Sequence, residues 1–158
     1  MRVGTGWDIH PLVEGRDLVL GGVYIENNRG CAGHSDGDAL IHAVIDAMLG
    51  AAGLGDIGDM FPDTDETYRD ISSVVLLRIA NDRLRENDFE IVNVDCTVIL
   101  QSPRLGLYKD RMCETIAEAL DLDVNMVNVK AKTAEHMLGE LGRSDAVMAQ
   151  AAVLIEEV

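Results

Sequence analysis

Residues 38–52, DALIHAVIDAMLGAA, constrain this chain more than any other segment. They are strong helix formers with apolar residues at helical spacing, and Gly53 and Gly55 follow where the helix must stop. Ser35 or Asp36 signals the start as a cap. Apart from Asp38, His42 and Asp46, the helix is made of small and apolar residues. Those three recur at i, i+4 and i+8 and share one face. Such a stripe is either a solvated face or a site-facing one, with Asp46 as a supporting or hydroxyl-accepting carboxylate.

The rest of the chain supplies the second layer. Residues 2–10 (RVGTGWDIH) read as a Gly-rich strand, and 17–25 (DLVLGGVYI) as strand material with a bulge or tight turn at Gly21-Gly22. Residues 26–34 read as a loop, and 55–70 as a long acidic loop without apolar period, a length that marks functional or mobile segments. An amphipathic helix over 72–87, capped by Ser72 or Ser73, precedes an alternating strand over 89–100. A turn at 101–106, a helix over 107–120, a strand over 124–133, a loop over 134–144 and a strand over 145–156 complete the chain. This order predicts an α+β two-layer sandwich, with a mixed four-stranded sheet and helices on one face. The length of 158 residues suits one domain with a core of its own.

Charge narrows the partners. The net charge of −15 repels nucleic acid and anionic membrane, and a phosphorylated substrate would need local positive charge that a metal ion supplies compactly. Cys31, Cys96 and Cys113 are far apart and odd in number, which suggests a reducing compartment rather than a disulfide framework. Met1 leads directly into strand-like sequence, and no apolar run approaches the roughly 20 residues of a membrane span, so the expected location is the cytoplasm.

Asp8 and His10 lie two apart on a strand and therefore on one face. With His42 they form a set of two imidazoles and one carboxylate, which suits zinc and leaves a coordination position open. Spacing alone equally allows His10 as a turn residue and His42 as a satisfied core histidine. His34-Ser35 precedes a helix start, where N–H groups favour anions. The carboxylates of the 61–65 stretch, FPDTD, suit hydroxyl groups or simple turns. Glu135, after Thr133, suits a hard ion such as Mg²⁺ or an exposed loop position. Arg104, Lys130, Lys132 and Arg143 are candidates for phosphate neutralisation or plain surface charge.

Taken together, GTGWDIH at 4–10, GHSDGD at 33–38, LGDIG at 54–58, FPDTD at 61–65, NVDCT at 93–97 and NVKAKTAE at 128–135 make the chain resemble the 2-C-methyl-D-erythritol 2,4-cyclodiphosphate synthases of the non-mevalonate isoprenoid pathway. The resemblance implies that Asp8, His10 and His42 bind Zn²⁺ or another divalent metal. His34, Ser35, Asp46, Asp56, Ile57, Gly58, Phe61, Pro62, Asp63, Thr64 and Asp65 would hold the methylerythritol phosphate end, beside Asp8 and His10. Leu100, Pro103, Arg104, Leu105 and Gly106 would receive cytidine. His34 and Thr133 would steady the transferring phosphoryl group, with Lys132 beside them and Glu135 binding Mg²⁺ or Mn²⁺ at the diphosphate. The family is a homotrimer around a sheet-lined centre, with active sites between subunits; there Arg143 and Asp145 would meet an isoprenoid diphosphate.

Two departures stand out. The usual TTTE run is Lys132-Thr133-Ala134-Glu135, and residues 136–143 read HMLGELGR where the family has LGFxGR. The implied reaction is intramolecular attack of a 2-phosphate on a β-phosphorus with loss of CMP, which needs positioning and charge neutralisation rather than a protein nucleophile. A metal-dependent phosphohydrolase and a non-catalytic trimeric ligand-binding module are the competing expectations.

Overall fold

The computed structural model describes residues 1–158. In chain order its elements are β1 (Arg2–Glu14), β2 (Leu18–Leu20), β3 (Val23–Ile25), β4 (Arg29–Cys31), α1 (Ala39–Ala52), α2 (Ile57–Met60), α3 (Ser73–Arg85), β5 (Phe89–Ile99), α4 (Lys109–Leu120), β6 (Val127–Lys132) and β7 (Ala146–Glu157). The main sheet has five strands in the order β4-β1-β7-β5-β6, and β2 and β3 form a separate hairpin turning at Gly21-Gly22. β7 runs antiparallel to both β1 and β5, while β5 and β6 are parallel, so the sheet is mixed.

The expected α+β class and the single helical face are present, but the sheet has five strands rather than four. The extra strand is β4, inside the stretch read as a loop. It pairs with Leu12–Glu14, beyond the point where strand β1 was expected to end. Three residues are too few for alternation to show.

Helix α1 lies flush on β1, and glycine makes this closeness feasible. A Cβ on Gly4 would sit 2.0 Å from the Ala47 carbonyl oxygen, and one on Gly6 would sit 2.2 Å from that of Ala43. Ala43, Ala47 and Ala51, one turn apart on α1, face this strand with methyl groups only. Burial is complete around α1 except at His42, Asp46 and Gly50, which form its one accessible stripe.

The cap of α1 is Asp38, not Ser35 or Asp36. Its Oδ1 accepts from Ile41 N at 3.0 Å and from Gly21 N at 2.9 Å, and its Oδ2 accepts from Gly22 N at 2.7 Å. One buried carboxylate thus starts the helix and holds the β2–β3 turn. Burial, reinforced by the nearby Asp36 charge, pushes its pKa up to about 6. The opposite face of the sheet carries Val3, Thr5, Trp7 and Ile9, all exposed and uncovered by any helix. No helix is long and apolar enough to cross a membrane.

Candidate metal centre and substrate cleft

Asp8 and His10 project from β1 on the face toward α1, and His42 meets them from the helix's accessible stripe. Asp8 Oδ2 lies 2.7 Å from His10 Nε2 and 3.1 Å from His42 Nδ1, and the two nitrogens are 3.4 Å apart. A tetrahedral ion with bonds of about 2.0–2.1 Å needs donors roughly 3.3 Å apart, so these three fit one with shifts of a few tenths of an ångström. They form the one group of three or more His, Cys, Asp or Glu side chains in the chain whose donor atoms converge this way.

The remaining ring nitrogens are occupied. His10 Nδ1 donates to Ala32 O at 2.7 Å. His42 Nε2 lies 2.9 Å from Ser73 Oγ and 3.1 Å from Ser35 Oγ. Ser73 Oγ in turn bonds Asp36 Oδ1, and Ser73 N donates to Asp36 Oδ2 at 3.0 Å. Such outer partners orient metal-binding imidazoles.

The corner favours positive charge. Burial raises the Asp8 carboxyl, but hydrogen bonds and charge from His10 and His42 overcome it and hold the pKa at about 2. Burial opposes a charged His10, yet the bond and charge of Asp8 outweigh it, and the net shift is upward.

His42 also lines a cleft of about 450 Å³ with His34, Ser35, Ile57, Gly58, Phe61, Pro62, Asp63, Thr64, Tyr68 and Leu76. His34 donates through Nε2 to Asp65 O at 3.0 Å, which fixes the 61–65 loop over the cleft. Asp56 does not line it; its side chain caps α2 by accepting from Asp59 N at 2.9 Å. Asp46 makes no bond to the triad. It accepts from Ile57 N at 2.8 Å and so ties the start of α2 to α1; burial raises its pKa. The expected polar stripe on α1 therefore divides into three tasks.

The other expected residues sit apart. Leu100, Arg104, Leu105, Gly106, Lys109, Ala131, Lys132 and Thr133 line a second pocket of about 250 Å³ that shares no residue with the first. Both lie at one end of the sheet, since Asp8 and Val98 both pair with Ala149 and Ile99 pairs with Lys132. Three strand steps separate β1 from β6, roughly 14 Å. Glu135 is exposed and accepts from Thr133 Oγ1 at 2.9 Å. Arg143 belongs to neither pocket; its guanidinium donates to Glu140 at 3.0 Å and to Asp145 at 3.4 Å.

Sequence reasoning missed Tyr68 and Leu76 as cleft walls and read Asp36 and Ser73 only as caps. It also missed Arg16, whose guanidinium donates to Gly33 O at 3.1 Å and Ser35 O at 2.6 Å, bracketing His34. Nothing in local pattern signals Arg16, because its targets are backbone carbonyls of another segment.

A mixed sheet with helices on one face, carrying a half-buried Asp–His–His corner beside an open cleft, defines a protein with three potential ligands for a divalent metal at the edge of a cleft. The chain belongs to the YgbB family, whose profile matches residues 1–156. It is 55% identical over 156 residues to the 2-C-methyl-D-erythritol 2,4-cyclodiphosphate synthase of Laribacter hongkongensis, covering 99% of this chain and 96% of that one. The bifunctional IspDF from Campylobacter jejuni superposes with a TM-score of 0.95 at 44% identity over 99% of this chain, which spans 42% of that longer one. A 2C-methyl-D-erythritol-2,4-cyclodiphosphate synthase in its CDP-bound form superposes with a TM-score of 0.89 at 36% identity, covering 98% of this chain and 100% of that one.

Proposed function

We propose that this chain converts 4-diphosphocytidyl-2-C-methyl-D-erythritol 2-phosphate to 2-C-methyl-D-erythritol 2,4-cyclodiphosphate and CMP, as a phosphorus–oxygen lyase of non-mevalonate isoprenoid biosynthesis. The observation that carries the reading is the convergence of Asp8 and His10 on His42, which itself lines the His34–Ser35–Thr64 cleft, in a chain 55% identical to a synthase of that name. The substrate's 2-phosphate oxygen bonds to the β-phosphorus, and the bond from that phosphorus to the oxygen bridging it to the α-phosphorus breaks. CMP leaves with the bridging oxygen.

Asp8, His10 and His42 would hold a divalent ion, Zn²⁺ in our reading, which would supply Lewis acidity toward a phosphate oxygen. His34 and Ser35 bind the attacking phosphate, and Ile57 and Gly58 with the 61–65 loop enclose the methylerythritol hydroxyls, while Asp56 caps the short helix that presents Ile57 and Gly58. Leu100, Pro103, Arg104, Leu105 and Gly106 seat the cytidine. Thr133 and Lys132 bind diphosphate oxygens. Glu135, exposed beside Thr133 at the end of β6, would hold a Mg²⁺ or Mn²⁺ ion, which would neutralise charge on the diphosphate.

Residues 1–158 act as one unit in a cytoplasmic homotrimer. Two features support this: the two pockets share no residue within a chain, and Val3, Trp7 and Ile9 stand exposed on the uncovered sheet face. Subunits meeting through that face would bring one chain's cleft to its neighbour's nucleotide pocket. An isoprenoid diphosphate at Arg143 would have to compete with Glu140 and Asp145 for the guanidinium.

The test is ³¹P NMR of the purified protein with this substrate, Mg²⁺ and Zn²⁺. A cyclic diphosphate formed with equimolar CMP is expected. Linear products made by water attack would overturn the cyclase reading in favour of a phosphohydrolase, and an unchanged substrate would leave a binding module. Trp7→Glu should yield monomers by light scattering; a monomeric wild type would overturn the trimer.

A further inference from the structure

We propose that Asp36 and Ser73 are positioning residues for the metal: together they fix the ring tautomer of His42 so that Nδ1 presents a lone pair to the Asp8–His10 corner. The inference rests on the reading of that corner as a divalent-metal site. A carboxylate can only accept hydrogen bonds, whereas a hydroxyl has one proton and two lone pairs. Asp36 is committed from three directions: Oδ1 accepts from Ser73 Oγ and from Asp38 N at 3.1 Å, and Oδ2 accepts from Ser73 N at 3.0 Å. The single hydroxyl proton of Ser73 therefore points to Asp36.

Toward His42, 2.9 Å away, Ser73 Oγ offers only a lone pair, so His42 Nε2 must carry the ring proton. Nδ1 is then unprotonated, and Nδ1 is the atom that faces Asp8 Oδ2 at 3.1 Å and His10 Nε2 at 3.4 Å. The opposite tautomer would spend Nδ1–H on Asp8 and leave His42 without a ligand atom in the corner. The arrangement is rigid, because Ser73 is fully buried at the first turn of α3 and Asp36 anchors that turn from outside the helix.

The two histidines are thus oriented by different means. His10 is held by a backbone carbonyl, Ala32 O, which no side-chain substitution removes. His42 depends on a side-chain relay. Ser35 Oγ also approaches Nε2, at 3.1 Å, but no carboxylate dictates where its proton points, so it can donate or accept. With Ser73 accepting from His42, the Ser35 proton is free for a ligand in the cleft.

The experiment measures Zn²⁺ affinity by chelator competition, the visible spectrum of the Co²⁺-loaded protein, and the ring ¹⁵N shifts of metal-free protein above the histidine titration range. Wild type should show His42 protonated at Nε2. Ser73→Ala keeps the backbone N–H that anchors α3, and should bind Zn²⁺ about 10–100-fold more weakly with mixed tautomers and an altered Co²⁺ spectrum. Ser73→Thr restores the hydroxyl and should recover the affinity. Asp36→Asn, which frees the hydroxyl proton, should fall between.

Wild-type Zn²⁺ affinity and spectrum in Ser73→Ala would overturn the proposal, as would equal losses in Ser73→Ala and Ser73→Thr. If Ser73→Ala does not fold, Asp36→Asn decides: an unchanged tautomer and affinity overturn the relay, and a weakened affinity with mixed tautomers supports it. A wild type that binds no divalent metal would instead remove the metal reading on which the relay rests.

Discussion

The Asp–His–His corner and the pocket beside β6 to which we assign the nucleotide are built in opposite ways. Asp8, His10 and His42 come from a strand and a helix pressed together until only glycine fits between them, with their donor atoms within 3.4 Å of one another. The nucleotide side trails off the end of β6 into exposed loop, where Glu135, His136 and Leu138 hold positive φ values of 52, 57 and 63°. That loop is held mainly by its own turns, by the small buried cluster of Ala134, Leu141 and Ala146, and by Arg29 donating to Ser144 O at 2.5 Å and to Asp145 at 3.1 Å. A metal site has to be accurate before substrate arrives, so it is made from core. A site for a flexible, multiply charged substrate is completed by the substrate and, in our reading, by a neighbouring chain.

The largest expected effect separates the two halves by metal content. His42→Ala should lose the tightly held ion, and the turnover lost with a Lewis acid worth about 4 kcal/mol is on the order of a thousandfold. Glu135→Gln should keep that ion and lose turnover on the order of a hundredfold, the scale for one charge-stabilising contact. Elemental analysis of both proteins beside their rates checks this. Equal metal loss in both would mean that the halves are not independent.

Next comes packing. Gly6→Ala drives a Cβ into the Ala43 carbonyl, so α1 must lift from β1 and carry His42 with it. Overpacking of this kind costs about 1–3 kcal/mol, and roughly 2–4 °C of Tm per kcal/mol in a domain this size. Gly106→Ala, in the nucleotide loop with nothing within 4 Å of its Cβ, should leave stability within about 0.5 kcal/mol. Thermal scans of the two variants sharpen the contrast; a Gly6→Ala protein with wild-type Tm and metal content would break it.

Acid should act on the metal corner with opposite signs in its two states. The His10 pKa is raised on folding, so its pairing with Asp8 stabilises the metal-free protein below the unfolded histidine value and is lost as pH rises through the folded one. Asp38, pushed up to about 6, adds the same trend: its folded form gains as pH falls through that value. Metal-free protein should therefore become more stable between pH 8 and pH 5. The metal-loaded form should do the reverse, because protons compete for His10 from above its ordinary range, while Asp8, held at about 2, stays ionised throughout. Tm against pH with and without chelator checks this; parallel curves would show that the corner holds no metal.

Much of this was legible in the sequence, and unevenly. Period two put Asp8 and His10 on one face, and the run at 38–52 gave α1 and its stripe. What one chain cannot announce is a bond whose partner lies in another segment. Asp38 looked like part of the stripe and proved to be the cap and the anchor of Gly21 and Gly22. Asp46 looked like support for the metal and supports Ile57 instead. Strand β4 is three residues long and shows no alternation, hence the missing fifth strand. The cytidine loop and the role of Glu135 came from the family resemblance rather than from spacing, since exposed loops carry no periodicity to read.

The smallest effect concerns Lys132, which stands where the family resemblance leads one to expect Thr. Lys132 is exposed and lines the nucleotide pocket with Arg104 and Lys109. In a chain of net charge −15, three cations around one pocket focus positive potential where a diphosphate must land. The Lys132→Thr change touches no core residue, so stability should move by less than about 0.5 kcal/mol. One exposed charge contributes about 0–1 kcal/mol to holding an anion, which limits the rise in KM to roughly fivefold. The rise should shrink as salt increases, because exposed charges are screened beyond about 8 Å at physiological ionic strength. Metal affinity at the triad, three strands away, should not change. KM measured across a salt series checks both points, and a KM shift that persists at high salt would mean that Lys132 makes a specific contact, giving this exposed half of the site a fixed geometry that its loops do not suggest.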